Sequence, residues 1–540
     1  MKSFSYYERT SYLKDMETEQ FDLVIVGGGI NGAGVARDAC SRGMKVALVE
    51  LQDFAEGTSS RSSKLIHGGI RYLENMEFKL VFEALNERTK LFAIAPHLSH
   101  HLRFMIPLFK DSRVGMLKMW AGMILYDVLA LFQAPELHQM LSAKETKEHA
   151  PNLRSHDLKG SFLYSDGYMD DDRLVHETLR SAHELGLKCA NYVEAIKPHF
   201  NSENHIVALE CKDLISNKTF KIRGKHFVST VGPWTDLFAQ RVFSDWKKML
   251  RPTKGVHITL NKNRFQLEHA VVMGAQKSDR IVFAIPRHEM VIIGTTDTDF
   301  QGDPKNVKVE QADIDYLLEV TKDYFPTANI TQADIVSTYA GVRPLVHDGS
   351  STEGKTSREH VILDDDRGMT FVAGGKYTTY RLMSEQVVDH CLNYFSEEDQ
   401  IKFYSSQTEI PLNPYVSSDS WNLALSQVWS WSKKLNRPLP ECQLLAERYG
   451  MEAKQFLFDE ENLDLSYIQI EARIAIEKTM CLHLTDFCTR RVPLYLAYPD
   501  HGFEQIDEIA EVFRALLGWD EKTVAREKAE YQEFISRSRL

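Results

Sequence analysis

A glycine-rich turn lodged between two apolar runs is the feature that most constrains this chain. Leu23-Val24-Ile25-Val26 is a short, partly β-branched run of the kind that forms a buried parallel strand. Gly27-Gly28-Gly29-Ile30-Asn31-Gly32 follows, with Gly34 close behind. A helical stretch then runs from Ile30 to about Arg42, with Ile30, Ala33, Ala36 and Ala39 suited to a face packed on a sheet. Gly43 ends it, and Lys45-Val46-Ala47-Leu48-Val49-Glu50 reads as a second strand. The whole is a β-α-β unit with G-x-G-x-x-G at its first turn and an acid closing its second strand, the context in which that spacing binds a dinucleotide. Gly27 permits the tight turn, and Gly29 lets backbone approach a pyrophosphate that the helix N-terminus stabilises. Gly32 lets helix and strand pack closely. Glu50 is placed to accept hydrogen bonds from ribose hydroxyls, and its charge would repel a 2′-phosphate, which disfavours NADP. The fingerprint leaves NAD and FAD open.

Composition bounds the rest. The chain has 540 residues, 43% hydrophobic and 26% charged, which suggests roughly three domains of a globular protein. It excludes a disordered tail protein, a collagen-like repeat and a polytopic membrane protein. With 64 Lys+Arg against 76 Asp+Glu the net charge is −12, so nucleic acid is not expected as a partner. The cysteines are odd in number and show no C-x-x-C spacing, which points to buried reduced thiols. Cys481 and Cys488, with His483 between them, lack the second pair a zinc site needs, and no metal is expected. The N-terminus has no continuous apolar core and carries Glu8, Asp15, Glu17 and Glu19, unlike a secretory or transit segment. Beyond about residue 400 glycine becomes sparse and amphipathic stretches such as 470–484 and 505–517 dominate. A helical C-terminal domain is expected there, beginning near the turn at Pro411 and Pro414.

Thr58-Ser59-Ser60-Arg61-Ser62-Ser63-Lys64-Leu65-Ile66-His67-Gly68-Gly69-Ile70-Arg71-Tyr72 is dense in hydroxyls and glycines. Such donors suit pyrophosphate and ribityl oxygens, although a plain polar loop has the same composition. Taken with Ile25-Val26-Gly27-Gly28-Gly29-Ile30-Asn31-Gly32-Ala33-Gly34, Gly294-Thr295-Thr296-Asp297, Gly341-Val342-Arg343-Pro344-Leu345 and Gly374-Gly375-Lys376-Tyr377-Thr378-Thr379-Tyr380-Arg381, this stretch resembles the FAD-dependent glycerol-3-phosphate dehydrogenases of the respiratory, aerobic type. The likeness is dense over residues 21–400 and looser beyond, where Leu484-Thr485-Asp486-Phe487-Cys488-Thr489-Arg490-Arg491 is similar to the family's helical-domain motif.

The resemblance implies an α/β fold in which a Rossmann-type FAD-binding domain (21–75, 165–245 and 350–399) is interleaved with an α+β substrate domain (76–164 and 246–349). An N-terminal extension (1–20) and the helical C-terminal domain (400–540) complete it. The reaction implied is oxidation of sn-glycerol 3-phosphate to dihydroxyacetone phosphate by hydride transfer to FAD, with electrons passed to a membrane quinone. His257, in Lys254-Gly255-Val256-His257-Ile258, looks like the general base, and an ordinary imidazole pKa of about 6.5 suits that work. Arg343 resembles the arginine beside the substrate hydroxyl, where a fixed cation steadies developing alkoxide character. Arg71 and Lys376 resemble phosphate binders, with Tyr72 as a hydroxyl donor. Cofactor contacts are expected from Gly27, Gly29, Gly32, Glu50, Thr58, Ser59, Ser62, Ser63, Lys64, Leu65, His67, Gly232, Gly375 and Thr378. One departure is visible: the family usually has Ala-Thr-Gly-Pro-Trp where this chain has Thr230-Val231-Gly232-Pro233-Trp234, so Val231 lacks a hydroxyl near the cofactor. Asp364-Asp365-Asp366 has neither the alternation nor the downstream Glu of an EF-hand loop.

Residues 97–135 hold Arg103, Lys110, Arg113 and Lys118 against Asp111 and Asp127, around an apolar run from 116 to 132 that includes Trp120 and Tyr126. The run is too short and interrupted to span a bilayer and suits an interfacial helix on anionic lipid, or a helix buried in the substrate domain. The resemblance favours the first, giving a cytoplasmic protein held peripherally on the inner face of the cytoplasmic membrane. A helical C-terminal domain can support a homodimer or cover the flavin domain, and periodicity leaves both open. A glycerol-3-phosphate oxidase that reduces oxygen to hydrogen peroxide would share the same motifs. An amino-acid oxidase fits the contexts of His257, Arg343 and Lys376 poorly, and a non-catalytic flavin-binding sensor is the remaining alternative.

Overall fold

The computed structural model describes residues 4–274, 280–288, 290–347 and 360–538. Two sheets organise it. In the first, the strands run in the order His360–Asp365, Met369–Gly374, Thr219–Ser229, Gln20–Val26, Val46–Val49 and Lys188–Ala190. Gln20–Val26 pairs in parallel with Thr219–Ser229 on one side and Val46–Val49 on the other, placing Val26 beside Ser229 and Val49. Both faces of that strand are covered, which is why its sequence is a continuous apolar run. Leu23 and Ile25 enter one core with the Ile30–Ser41 and Tyr380–Cys391 helices. Val24 and Val26 enter another with Phe227, Phe238 and Phe371.

The second sheet runs Thr298–Asp299, Thr253–Asn261, Met290–Gly294, Ile281–Arg287, Ala270–Gly274, Ser99–Phe109, Leu158–Met169 and Leu65–Ile66, with Ile335–Arg343 also paired to Thr253–Asn261. Sheet membership therefore alternates along the chain, and the first sheet is interleaved with the second. Among the described residues no strand follows Gly374, and the C-terminal part is helical, from Ser418–Leu435 to Glu521–Ser538. Its helices share a continuous apolar core with the second sheet, in which Phe104, Phe162 and Ile285 join Ile476, Phe487, Phe513 and Tyr531.

Two boundaries differ from expectation. The expected break between residues 164 and 165 falls inside Leu158–Met169, whose strand pairings all belong to the second sheet. The helical bundle begins at Ser418, not at residue 400. Before it the chain is strapped against the core packed on the first sheet, because buried Arg37 donates to the Thr408 and Ile410 carbonyls and Leu412 N–H donates to the carbonyl of Ile94, which belongs to that core. The N-terminal extension is a helix, Tyr6–Thr18, docked by Arg9, which is 4% exposed and bonds to the Asn191 carbonyl and Asp213. The break expected between residues 349 and 350 lies outside the described residues. All seven cysteines are buried and unpaired with one another, as their scatter suggested. Among the described residues no helix is long and apolar enough to cross a membrane.

Candidate active site

Gly27 leaves the first strand at φ 109°, a backbone that side-chain-bearing residues avoid, and a Cβ there would lie 2.8 Å from the Thr230 carbonyl oxygen. Gly29 opens the Ile30–Ser41 helix with no side-chain cap of its own. The Ser59 hydroxyl instead accepts the Ile30 N–H at 2.9 Å. Gly32 serves packing rather than contact: its Cβ would come 1.9 Å from the Gly27 carbonyl oxygen, and it does not line the cavity. Glu50 ends the second strand and accepts the Gly28 N–H at 2.6 Å and the Gln52 N–H at 2.9 Å. Burial raises its pKa, while those two backbone donors hold it down.

A cavity of about 500 Å³ starts at this turn and ends between the two sheets, a size ordinary for a small-molecule site. Gly27, Gly29, Glu50, Thr58, Ser59, Ser62, Ser63, Leu65, His67, Gly232, Gly375 and Thr378 all line it. The cradle that glycine alone leaves open, the helix N-terminus and the following hydroxyls fit a dinucleotide with its pyrophosphate at the turn. Val193, Glu194 and Ala195 close the cavity beside Glu50. Sequence reasoning missed them, for nothing in their composition marks a site.

At the far end stands His257, in the middle of Thr253–Asn261 and paired with Gly294 on one side and Tyr339 on the other. Its ring stacks on Tyr339 at 4.7 Å with 9° between planes, and a Cβ on Gly294 would sit 2.2 Å from its Cδ2. Nε2 is 2.8 Å from the Ser63 hydroxyl, and Nδ1 is buried without a hydrogen-bond partner among the described residues. Burial first, then the nearby charges of Arg343 and Lys64, hold the imidazole well below its ordinary pKa, so it is neutral at neutral pH.

Arg343 ends Ile335–Arg343 and is gripped on several sides: Nη1 donates to Asp297 at 3.0 Å, and Nη2 donates to the Thr295 hydroxyl at 2.7 Å and the Thr296 carbonyl at 3.2 Å. The Gly294-Thr295-Thr296-Asp297 motif thus holds the arginine, a role the sequence did not disclose. Gly255 makes room for it, since a Cβ there would be 2.3 Å from Nη2. Lys376 and Tyr72 complete the end wall, with the ammonium 3.7 Å from the tyrosine ring centroid.

Several expected contacts need correcting. Lys64 does not line the cavity: it is 1% exposed and ion-paired to Asp171. Arg71 is half-buried in the Ile70–Asn75 turn, beside Tyr72 but off the cavity wall. Thr58 and Ser62 line the cavity, yet their hydroxyls donate to the Val342 carbonyl and to Asp171. Thr230 carries a hydroxyl one residue before Val231, and it ties to the Val26 and Gly27 carbonyls at 3.1 and 3.0 Å.

Comparison with known proteins bears on the fold and the family. Residues 22–381 match the family described as FAD dependent oxidoreductase, and residues 418–524 match the C-terminal domain of alpha-glycerophosphate oxidase. The chain is 34% identical over 527 residues to an aerobic glycerol-3-phosphate dehydrogenase of Staphylococcus saprophyticus, covering 96% of this chain and 94% of the relative. It is 32% identical over 544 residues to the protein of that description in Staphylococcus aureus, covering 99% and 97%. Among solved structures it is similar to the glycerol-3-phosphate dehydrogenase from Bacillus halodurans complexed with FAD, with TM-score 0.81, 28% identity and 99% of each chain covered.

Proposed function

The chain belongs to the FAD-dependent glycerol-3-phosphate dehydrogenase family, and from that premise we propose that it oxidises sn-glycerol 3-phosphate to dihydroxyacetone phosphate and delivers the electrons to a membrane quinone. The observation that carries this reading is the meeting of buried His257, clamped Arg343 and the Lys376–Tyr72 pair at one end of the cavity whose other end is the dinucleotide turn. Bound FAD supplies the hydride acceptor; the protein supplies position and charge. His257 takes the proton of the C2 hydroxyl at Nε2, with the substrate hydroxyl replacing the Ser63 hydroxyl that bonds it here. Arg343, held rigid by Thr295 and Asp297, steadies negative charge on that oxygen as the proton leaves. Lys376 attracts the substrate phosphate from the cavity wall, and Arg71 adds its charge from the neighbouring turn.

A place on the inner face of the cytoplasmic membrane is supported by the Met116–Leu129 helix. Met123 and Tyr126 pack inward, while Leu117, Trp120, Ile124 and Val128 form an exposed stripe that continues through Leu131 and Phe132. Leu131 and Phe132 lie at φ 52° and 56°, so the turn that presents these two side chains to the outside is itself strained. Lys118 lies on the helix and Arg113, ion-paired with Glu74, precedes it; an apolar stripe with a basic residue on the same helix suits an interfacial helix on anionic lipid.

The test is anaerobic bleaching of the flavin absorbance by sn-glycerol 3-phosphate, followed by reoxidation. Rapid recovery with a soluble quinone analogue and slow recovery with oxygen is the expected result. Equal recovery with oxygen, with hydrogen peroxide formed, would make the enzyme an oxidase. Failure to bleach would leave a flavin-binding protein without this activity.

A further inference from the structure

The C-terminal helical domain reaches back into the FAD-binding domain through a buried charge cluster that the chemistry above does not use. Its donors are Arg490 and Arg491, at the end of the turn Phe487–Arg491, each 5% exposed. Its acceptors in the FAD-binding domain, Asp53 and Glu56, lie on the loop that follows Glu50. Asp53, fully buried, receives Arg490 Nε at 2.8 Å and both terminal nitrogens of Arg491 at 2.8 and 2.9 Å. Arg490 also pairs with Glu56 through Nη1 and with Asp486 through Nη2, the latter at 2.6 Å. Arg491 is itself fixed by the Thr479 hydroxyl and carbonyl.

The loop so gripped is a wall of the cavity, lined by Glu50, Leu51, Gln52, Glu56, Thr58 and Arg61. Glu56 accepts from Arg490 on one oxygen and from Arg61 on the other, at 3.1 Å, so one carboxylate joins the C-terminal domain to a cavity-lining arginine. Between Asp53 and Glu56 the loop also supports the glycine turn. Ala55 N–H donates to the Gly28 carbonyl at 3.1 Å, and the Phe54 ring fills the space a Cβ on Gly28 would take. Ala55 sits at φ 67°, a conformation an alanine keeps only when its surroundings enforce it. A buried guanidinium with matched carboxylates fixes geometry far more than it adds stability, because losing one partner strands the other charge.

We propose that Arg490 and Arg491 are positioning residues for the cofactor: the C-terminal domain completes the FAD site by clamping the 50–61 loop through Asp53 and Glu56. This rests on FAD being the cofactor, so binding of FAD by the unaltered chain is measured first; its failure would count against the cofactor, not against the clamp. The full-length chain is stripped of flavin and titrated with FAD, by quenching of flavin fluorescence, for the unaltered protein, Arg490→Lys, Arg491→Lys and Glu56→Gln. Glu56→Gln is nearly isosteric and leaves the Asp53–Arg491 pair intact, which keeps the test alive should an arginine variant not fold. The expected result is an FAD dissociation constant raised roughly tenfold or more, together with faster proteolysis of the 50–61 loop in the flavin-free chain. Turnover at saturating FAD should recover in larger part than affinity does. An FAD dissociation constant unchanged in all folded variants, whatever happens to their melting temperatures, would overturn the proposal and leave the cluster as a structural ion network.

Discussion

His257 is fit to act as a base because of what surrounds it, not because of a partner that activates it. Burial, with Arg343 and Lys64 adding positive charge, keeps the imidazole neutral well below its ordinary pKa. A base works above its pKa and fails as pH falls through it, so the limiting rate of flavin reduction at saturating substrate should stay level down through pH of about 6.5. Stopped-flow reduction across that range checks this, and a loss centred on about 6.5 would be inconsistent with the burial. His257→Gln should slow reduction by about 10²- to 10⁴-fold while FAD stays bound, as absorbance will show; an unaltered rate would remove His257 as the base. Arg343 offers a subtler probe. Gly255→Ala places a methyl 2.3 Å from Nη2 of a guanidinium that Asp297 and Thr295 prevent from retreating. It should lower the reduction rate by about 10²-fold with FAD affinity unchanged, and unimpaired reduction would mean the arginine is not held as described. The sequence disclosed His257 and Arg343 through their motifs, but not why they need Gly255, Thr295 and Asp297. That dependence exists only once Thr253–Asn261 has paired with Ile335–Arg343, a register no local pattern contains.

At the scale of elements, the Met116–Leu129 helix explains why its sequence supported two readings at once. It is a packed helix on the side of Met123 and Tyr126, whose hydroxyl donates to Asp166, and it is an exposed apolar stripe on the side of Leu117, Trp120, Ile124 and Val128. Helical periodicity registers both faces as apolar and cannot say which one meets protein. Replacing Leu117 and Trp120 by Asp should therefore spare activity with a soluble dye acceptor while removing most co-sedimentation with anionic vesicles. Each side chain is worth about 1.5–3 kcal/mol of apolar burial. Co-sedimentation that survives both changes would assign the attachment elsewhere. The β-α-β unit, by contrast, was legible in full, because turn, helix and strand are contiguous in sequence and each carries its own signal. The strap at 404–412 was not. Its backbone carbonyls are satisfied by Arg37, some 370 residues away in sequence, and a segment held by a distant side chain looks from its own composition like a linker.

The whole molecule is one chain crossing repeatedly between two sheets, with the C-terminal helices sharing the core of the second sheet and gripping a loop of the first domain. Such a construction buries ionisable groups at every seam, and their titration sets how stability responds to pH. His97, His176 and His257 are held well below their ordinary range, and His100 and His226 are lowered to about 4, in each case first by burial. In the unfolded chain these imidazoles take up protons near pH of about 6.5. From pH of about 7 down to about 6 the unfolded state therefore binds more protons than the folded state, and stability falls with pH, by up to about 1.4 kcal/mol per pH unit for each imidazole. Asp486, raised to about 6 by burial and then by Asp53, works in the opposite direction. Burial also raises Asp38, Glu50, Asp166 and Asp171, but carboxylates start from about 4 and oppose the imidazoles chiefly at lower pH. His483 behaves differently from the other five histidines. Burial opposes its charge, but the Glu527 carboxylate at 3.0 Å and nearby Asp486 prevail and raise it to about 9. The stability it contributes is fully present below about 6.5 and is lost as pH rises through 9. Urea midpoints of the FAD-saturated protein should therefore be highest near neutrality, fall from about pH 7 to about pH 6 and decline gently toward about pH 9. His483→Gln should flatten only the alkaline decline, since it unties the charged contact between the Glu521–Ser538 helix and the segment before Leu484. Midpoints that rise from about pH 7 to about pH 6 would mean that Asp486 and His483, whose raised pKa values favour the folded state as pH falls, outweigh the buried imidazoles.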